Sequence, residues 1–124
     1  MENENPKRRD IQERAYAFAC RIVRLNLYLA KKNNITRTLS AQILRCGTSI
    51  GANLQEADAA QSKRDFIAKG YIALKEARET HYWLRLLVDC ELVSCSRLSP
   101  LIQEANELVA ILSSIVKNAH RNSG

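Results

Sequence analysis

The residues of this chain that could bind a ligand are mainly cations, and they are concentrated in its first half. Between Arg14 and Gln55 the sequence contains seven lysines and arginines and neither aspartate nor glutamate. A localised basic field attracts polyanions, so this distribution favours nucleic acid or another acidic surface as the partner. The alternative is a solvated helix face that only keeps the protein soluble. Nucleic-acid contacts are predicted at Arg14, Arg21, Arg24, Tyr28, Lys31, Lys32, Arg37 and Arg45.

A second set of polar residues recurs at spacings of four, four and three, which places its members on one line of a helix. The set consists of Arg45, Ser49, Asn53 and Glu56. If this line faces a neighbouring helix or subunit, its groups need partners, because burying them unpaired is costly. If it faces water, Arg45 extends the basic surface. A structural polar network is favoured over direct ligand contact.

No arrangement of residues predicts catalysis. Glu76 and Glu79 are one helical turn apart and His81 is close by, but Lys75 and Arg78 alternate with them, which indicates ordinary pairing on a helix surface. The sequence has no glycine-rich phosphate loop, no nucleophile elbow and no Glu-x-x-His motif for a pair of metal ions. We therefore expect a protein that is not an enzyme.

Cysteine and histidine usage predicts no metal and no cofactor. The four cysteines form no Cys-x-x-Cys pair, and the two histidines lie far from a matching ligand cluster. We interpret Cys20, Cys46, Cys90 and Cys95 as small buried hydrophobes in a reducing compartment. No apolar stretch has the length of a membrane span, and the polar N-terminus lacks the core of a secretory signal. A cytoplasmic location without a membrane partner is expected.

The elements that position these residues are predicted to be helices. The chain has only four glycines and two prolines, and helix-forming residues dominate. Four helices are predicted. The first spans residues 6–32, and the second runs from a cap at Thr38 or Ser40 to about residue 59. The third runs from a cap at Ser62 to about residue 91, and the fourth is capped by Ser99 with Pro100 in its first position. Short breaks between them predict a single all-α domain over residues 1–124, an antiparallel up-down-up-down four-helix bundle with its core at about 8–119.

The first helix carries two apolar seams. Its inner seam, at alternating spacings of four and three, comprises Ile11, Ala15, Phe18, Ile22, Leu25 and Leu29. Its outer seam, nearly opposite at about 100° per residue, comprises Tyr16, Cys20, Val23, Leu27 and Ala30. A helix in a small bundle normally turns one stripe to solvent, so the outer seam predicts a homo-oligomer interface. The alternative is a helix buried more deeply among its own neighbours.

Two glycines in the second helix indicate a close contact. Gly47 and Gly51 are four residues apart, and glycine inside a helix lowers helix stability. Another backbone is therefore expected to approach the second helix at these positions.

Three segments resemble a known family. They are QILRCGTSIGANLQEA at 42–57, SKRDF at 62–66 and YIALKEARET at 71–80, with an Arg, Ser-Ile, Asn, Glu pattern followed by an aromatic residue and Ala-Leu…Glu. Over about residues 10–118 the chain resembles the bacterial four-helix bundles encoded within intervening sequences of large-subunit ribosomal RNA genes, which are often labelled ribosomal proteins.

The resemblance implies a homopentamer with a basic surface, as in the related accessory variability proteins of diversity-generating retroelements, which bind a reverse transcriptase and its RNA. Two functions follow from the residues and the resemblance together. The first is nonspecific binding of structured RNA or DNA by a non-enzymatic, basic homo-oligomer. The second is a protein-interaction scaffold, or an accessory subunit for an acidic protein partner such as a reverse transcriptase.

Overall fold

A computed structural model describes the backbone of residues 6–122 and the side chains of residues 10–122. The described chain forms four helices and no strand, which confirms the all-α prediction. The helices are α1 (Pro6–Leu29), α2 (Asn34–Asp58), α3 (Lys63–Asp89) and α4 (Cys95–Arg121). In the described part of the chain, none of them is long and apolar enough to cross a membrane.

Neighbouring helices run antiparallel around a four-cornered bundle. Between α1 and α2, Ile22 lies against Gly47 and Ala15 against Gly51, so the residue numbers run in opposite directions across the contact. The same order holds between α1 and α4, where Tyr28 pairs with Arg97 and Arg14 pairs with Glu104. Within the described residues α1 packs on α2 and α4 but not on α3, so α1 and α3 occupy opposite corners.

The core is built from the inner seam of α1 and from one face of each of the other helices. Every member of the inner seam of α1 is buried, and Phe18 is the largest fully buried side chain. The other helices contribute Ile43, Ile50, Leu54, Ala73, Ala77, Leu84, Leu87, Leu101, Ala105, Leu108 and Leu112. Burial of these apolar surfaces on one face of each helix holds the bundle together.

The glycines of α2 mark a close helix contact, as predicted. A methyl group placed on Gly51 would lie 3.6 Å from the backbone carbonyl carbon of Ala15. One placed on Gly47 would lie only 2.9 Å from Cγ1 of Ile22. The absence of side chains at these two positions therefore lets α1 approach α2 closely.

The predicted start of α2 at Thr38 or Ser40 is wrong. The N-cap is Asn33, whose side-chain oxygen accepts a hydrogen bond of 2.9 Å from the backbone N–H of Thr36. Thr38 lies inside the helix, where its hydroxyl donates to the carbonyl of Asn34, and Ser40 is buried. By contrast, Ser62 caps α3 as predicted and accepts a hydrogen bond from the N–H of Asp65.

The predicted start of α4 at Ser99 is also wrong. Ser94 is the N-cap and accepts from the N–H of Arg97, so Pro100 lies in the second turn of the helix. Proline there removes one hydrogen bond to the carbonyl of Ser96, but Ser96 is exposed and water can solvate that carbonyl. The helix therefore begins five residues earlier than predicted and includes Arg97.

The turn between α3 and α4 uses a left-handed residue that is not glycine. α3 ends at Asp89, and Glu91 has a φ of 62°. The N–H of Glu91 donates to the carbonyl of Val88 and the N–H of Leu92 donates to that of Leu87, which is the Schellman arrangement. Cys90 and Cys95 flank this turn and are exposed, so the prediction of buried cysteines is wrong for both. It holds for Cys46, while Cys20 is half-buried.

Candidate nucleic-acid interface

Part of the predicted cationic set comes together in a groove between α1 and α4. This α1/α4 groove has a volume of about 270 Å³. Its walls are Arg21, Arg24, Leu25 and Tyr28 from α1, and Arg97, Pro100 and Leu101 from α4. Three guanidinium groups thus line it with apolar and aromatic side chains and without a carboxylate. Phosphate oxygens suit such a surface, because guanidinium donates two hydrogen bonds in a fixed geometry.

Tyr28 holds two cations against its ring. The guanidinium carbon of Arg97 lies 4.0 Å from the ring centroid, and Nζ of Lys32 lies 4.7 Å from it. Both distances are within the range of cation–π attraction. A hydrogen bond with Lys32, together with the charge of Arg97, lowers the pKa of the Tyr28 hydroxyl against the opposing effect of desolvation. The ring therefore fixes Arg97 beside the α1 cations before any ligand arrives.

Arg97 is a site residue that sequence reasoning missed. It stands far from the basic tract in the sequence, and the expected start of α4 at Ser99 left it in a loop. Ser94 could have indicated the correct start of α4, since serine is a common N-cap. A helix capped at Ser94 has Arg97 in its first turn. That turn also carries the positive end of the helix dipole, which adds to the local positive potential.

Arg14 is on the same side of α1 but is neutralised. Its guanidinium bonds Glu104 of α4 at 2.7 and 3.1 Å and Glu107 at 2.7 Å. Hydrogen bonds with Glu104 and then Glu107 raise the pKa of Arg14, and the hydrogen bond from Arg14 lowers the pKa of Glu107. Arg14 therefore links α1 to α4, and its predicted place among the free cations is not supported by this geometry.

Arg45 is neutralised on the opposite side of the bundle. It bonds Glu76 at 3.4 Å and also Glu79, both on α3, and Glu79 accepts a second hydrogen bond from Nε1 of Trp83 at 3.0 Å. Desolvation lowers the pKa of Arg45, but the charge and hydrogen bond of Glu79 outweigh it and raise the pKa overall. Glu76 and Glu79 thus pair with α2, and the interpretation that they pair with Lys75 and Arg78 on their own helix is wrong.

The predicted polar network on α2 is limited to Arg45. The hydroxyl of Ser49 donates to the carbonyl of Arg45 at 2.7 Å, and the amide of Asn53 donates to the carbonyl of Ser49 at 2.8 Å. Both bonds stay within their own helix, and Glu56 is exposed. Only Arg45 joins two helices, through Glu76 and Glu79.

The remaining predicted cations are exposed. Lys31 and Lys32 follow α1, and Arg37 lies in the first turn of α2, where it bonds the side chain of Asn34. Among the described side chains, none of these three cations forms an ion pair with a carboxylate, and the same is true of Arg21 and Arg24. Of the cations predicted to bind nucleic acid, Arg21, Arg24, Lys31, Lys32 and Arg37 thus have no carboxylate partner among the described side chains, and Arg97 lies beside them.

The outer seam of α1 is exposed in the single chain. Tyr16 is 72% exposed, Val23 42% and Leu27 67%, so the alternative of deeper burial does not hold. Beside the seam lies a groove of about 530 Å³ between α1 and α2, here called the α1/α2 groove. Its lining includes Tyr16, Ala17, Ala19, Gly51 and Ala52. Gln12, Glu13, Thr48 and Gln55 complete the lining, and this mainly apolar surface is available to a protein partner.

Across residues 10–122, no group of three or more histidine, cysteine, aspartate or glutamate side chains is placed to hold a metal ion.

Comparison with known proteins identifies the family. The sequence profile described as "23S rRNA-intervening sequence protein" matches residues 7–114. The chain belongs to this family. A crystal structure of a protein of unknown function from the S23 ribosomal protein family of Bacteroides thetaiotaomicron VPI-5482 is similar, with 43% sequence identity and a TM-score of 0.81. The similarity covers 90% of this chain and 98% of the other. The search of curated proteins returned no match.

Membership of the 23S rRNA-intervening sequence protein family confirms the resemblance inferred from residues 42–57, 62–66 and 71–80. The solved relative confirms the four-helix fold. The function of that relative is unknown.

Proposed function

We propose that the protein is a non-enzymatic, basic bundle that binds structured RNA or DNA without sequence preference. The observation that carries the proposal is the α1/α4 groove, in which Arg21, Arg24 and Arg97 converge without a lining carboxylate. Lys31, Lys32 and Arg37 extend the positive surface at the same end of α1. Contacts with phosphates through such cations supply affinity for any sequence, because the backbone is the same throughout a nucleic acid.

The proposal predicts a steep dependence of binding on salt. Each cation that contacts a phosphate releases a counterion, so affinity falls as salt rises from about 50 to 200 mM. The double variant Arg21→Glu and Arg24→Glu is expected to weaken binding of unrelated duplexes to a similar degree. A plot of log affinity against log salt has a negative slope. Single Arg21→Gln and Arg24→Gln variants should each make that slope less steep by about one. Fluorescence anisotropy with labelled RNA and DNA duplexes measures the affinities and their dependence on salt.

Arg45→Gln is the matched control for these single variants. It removes the same charge, but from a guanidinium already neutralised by Glu76 and Glu79 on another side of the bundle. Its effect on the salt slope should be smaller than that of Arg21→Gln. Equal effects at all three positions would mean that only net charge matters and that the groove is not the site. No binding by the unmodified protein at low salt would contradict the proposal as a whole.

We also propose that the outer seam and the α1/α2 groove form an interface between copies of the chain. The exposed fractions of Tyr16, Val23 and Leu27 support this, because large apolar side chains grouped on one face usually meet a partner. The family resemblance suggests a pentamer. Self-association would repeat the basic surface around one particle and increase its affinity for long nucleic acids through multivalency.

Val23→Glu together with Leu27→Glu is expected to reduce the molecular mass measured by light scattering, because burying two carboxylates at an interface is costly. Helical circular dichroism should be retained, since both side chains are exposed in the single chain. Ile72→Glu is the control, because Ile72 on α3 is 39% exposed, close to the 42% of Val23, and this variant should keep the mass unchanged. Loss of the fold in the double variant would assign the outer seam to the core instead.

An accessory subunit for an acidic protein is the second candidate function, and the α1/α2 groove is the observation that favours it. If the unmodified chain is already monomeric, this apolar surface remains open for a different protein. An acidic partner could then also use Arg21, Arg24 and Arg97. Gene neighbourhood separates the two functions: a copy within a ribosomal RNA gene favours nucleic acid, and one beside a reverse transcriptase favours the protein partner. The free cysteines at 90 and 95 support a reducing, cytoplasmic location for either function.

A further inference from the structure

The outward face of α3 carries aromatic rings and cations in alternation. Tyr71, Lys75, Arg78, Tyr82 and Arg85 recur at spacings of four, three, four and three. At 100° per residue they occupy an arc of about 80°, and all five are exposed. Tyr71 is 57% exposed and Tyr82 is 56% exposed. These five residues are here called the α3 stripe.

The two carboxylates between Tyr71 and Arg85 lie to one side of the stripe, toward α2, and Asp89 lies on the face of the stripe one turn beyond its end. Glu76 and Glu79 lie on the flank that packs against α2, where Arg45 pairs with both. Trp83 lies on the same flank, and its N–H donates to Glu79. The pairing with Arg45 therefore holds the charges of Glu76 and Glu79 away from the α3 stripe. It leaves three cations on the outward face with no carboxylate partner among the described residues.

Cations of α4 extend the stripe at one end. A groove of about 530 Å³ separates α3 from α4, and Tyr71 and Arg78 form its α3 wall together with Leu74. Lys117 and Arg121 line its α4 wall, with Ser113, Val116 and His120 beside them. No carboxylate belongs to this lining. The stripe and the groove make one basic, aromatic surface, and it lies on the far side of α4 from the α1/α4 groove.

Alternation of exposed rings and cations fits a single strand better than a duplex. Unpaired bases stack on aromatic side chains while the backbone phosphates contact lysine and arginine. In a duplex the bases are already stacked and cannot reach the rings. Tyr71 and Tyr82 are eleven residues apart, or about 16 Å along the helix, so they would meet bases separated along one strand.

We propose that the α3 stripe is a single-strand binding site, with unpaired bases stacked on Tyr71 and Tyr82 and phosphates bound by Lys75, Arg78 and Arg85. This inference deepens the proposed function, on which it rests, by naming unpaired nucleic acid as the ligand of a second surface. Because α3 and α1 occupy opposite corners of the bundle, the two surfaces can be altered separately. An acidic protein bound to the α3 stripe would contact its cations, but it would not require the ring faces of both tyrosines for stacking.

The test compares two probes on the full chain: an unstructured oligouridylate and an RNA duplex. Tyr71→Ala with Tyr82→Ala is expected to weaken oligouridylate binding at least tenfold, since it removes both rings on which bases stack. Binding of the duplex should change less than twofold, because no charge is lost. Tyr71→Phe with Tyr82→Phe is the matched control and should bind oligouridylate almost as well as the unmodified chain. Ultraviolet crosslinking of the oligouridylate, mapped by mass spectrometry, should mark Tyr71 or Tyr82.

Three results would overturn the inference, and each is distinct from failure of the proposed function. Unchanged oligouridylate binding by the alanine variant would remove the stacking site. Equal loss of oligouridylate and duplex would mean that the stripe does not distinguish them. A lower molecular mass of the alanine variant in light scattering would make the stripe an interface between copies. The proposed function fails separately, if Arg21→Glu with Arg24→Glu leaves duplex binding unchanged.

Discussion

α1 meets its two neighbours in different ways. Against α2 the contact is close and apolar, with Ile22 packed on Gly47 and Ala15 on Gly51. Against α4 the helices are separated by the α1/α4 groove and are joined by the ion pairs of Arg14 with Glu104 and Glu107. The first contact brings apolar atoms of the two helices together, and the second keeps polar groups at the surface.

The two sides of α1 therefore have different roles: the side that faces α2 contributes to stability, and the side that faces α4 carries the proposed binding surface. Tight apolar packing contributes most to stability, while exposed ion pairs contribute little. An open groove, however, leaves Arg21, Arg24 and Arg97 accessible to a large ligand. A closer approach of α1 to α4 would bury these guanidinium groups and make their desolvation costly. The glycines of α2 thus allow tight packing on the side of α1 that does not bear the cations.

The largest expected effect on stability is that of Gly47→Ala. The new methyl group would lie 2.9 Å from Cγ1 of Ile22, a fully buried and β-branched side chain that cannot rotate away easily. Overpacking of this kind costs about 1–3 kcal/mol, and the better helix propensity of alanine offsets part of it. We expect a net loss of about 1 kcal/mol in the free energy of unfolding, measured by urea denaturation.

Gly51→Ala is the matched variant one turn away, and its effect should have the opposite sign. Its methyl group would lie 3.6 Å from Ala15, which is ordinary van der Waals contact. Helix propensity should then dominate and stabilise the protein by about 0.5–1 kcal/mol. Equal losses at both positions would show that the close contact extends evenly along α1 and α2. Equal gains would show that Ile22 can move aside.

Much of the fold could be predicted because a helical core is a local pattern. The inner seam follows from the spacing of apolar residues alone, and all six of its members are buried. Helix starts were less predictable, because several residues near each start can act as caps. Pro100 favoured a start at Ser99, whereas Ser94 is the cap that the turn after Glu91 brings into place.

The binding surface was less predictable because neutralisation is a tertiary property. Arg14 and Arg45 look like Arg21 and Arg24 in the sequence, yet their carboxylate partners stand on other helices. The α3 stripe was missed for a related reason. Its cations alternate with Glu76 and Glu79 in the sequence, and only the position of Arg45 on α2 shows which flank the carboxylates face.

A smaller effect is expected for Arg14→Met, which tests the open side of α1. The substitution keeps an apolar stem but removes the ion pairs with Glu104 and Glu107, whose side chains are 20% and 47% exposed. Ion pairs at this level of exposure contribute about 0.2–1 kcal/mol, so thermal denaturation should show a loss within that range. The loss should shrink at high salt because the charges are screened.

Arg24→Met completes the comparison, because Arg24 is exposed and has no carboxylate partner among the described residues. Its stability should stay within about 0.5 kcal/mol of the unmodified chain. Duplex binding should be affected more by Arg24→Met than by Arg14→Met. The salt dependence of binding should accordingly be less steep for Arg24→Met than for Arg14→Met. A larger stability loss for Arg24→Met than for Arg14→Met would mean that the groove cations also hold the helices together. The side of α1 that faces α4 would then stabilise the fold as the side that faces α2 does. Stability and binding would no longer be separated on the two sides of α1.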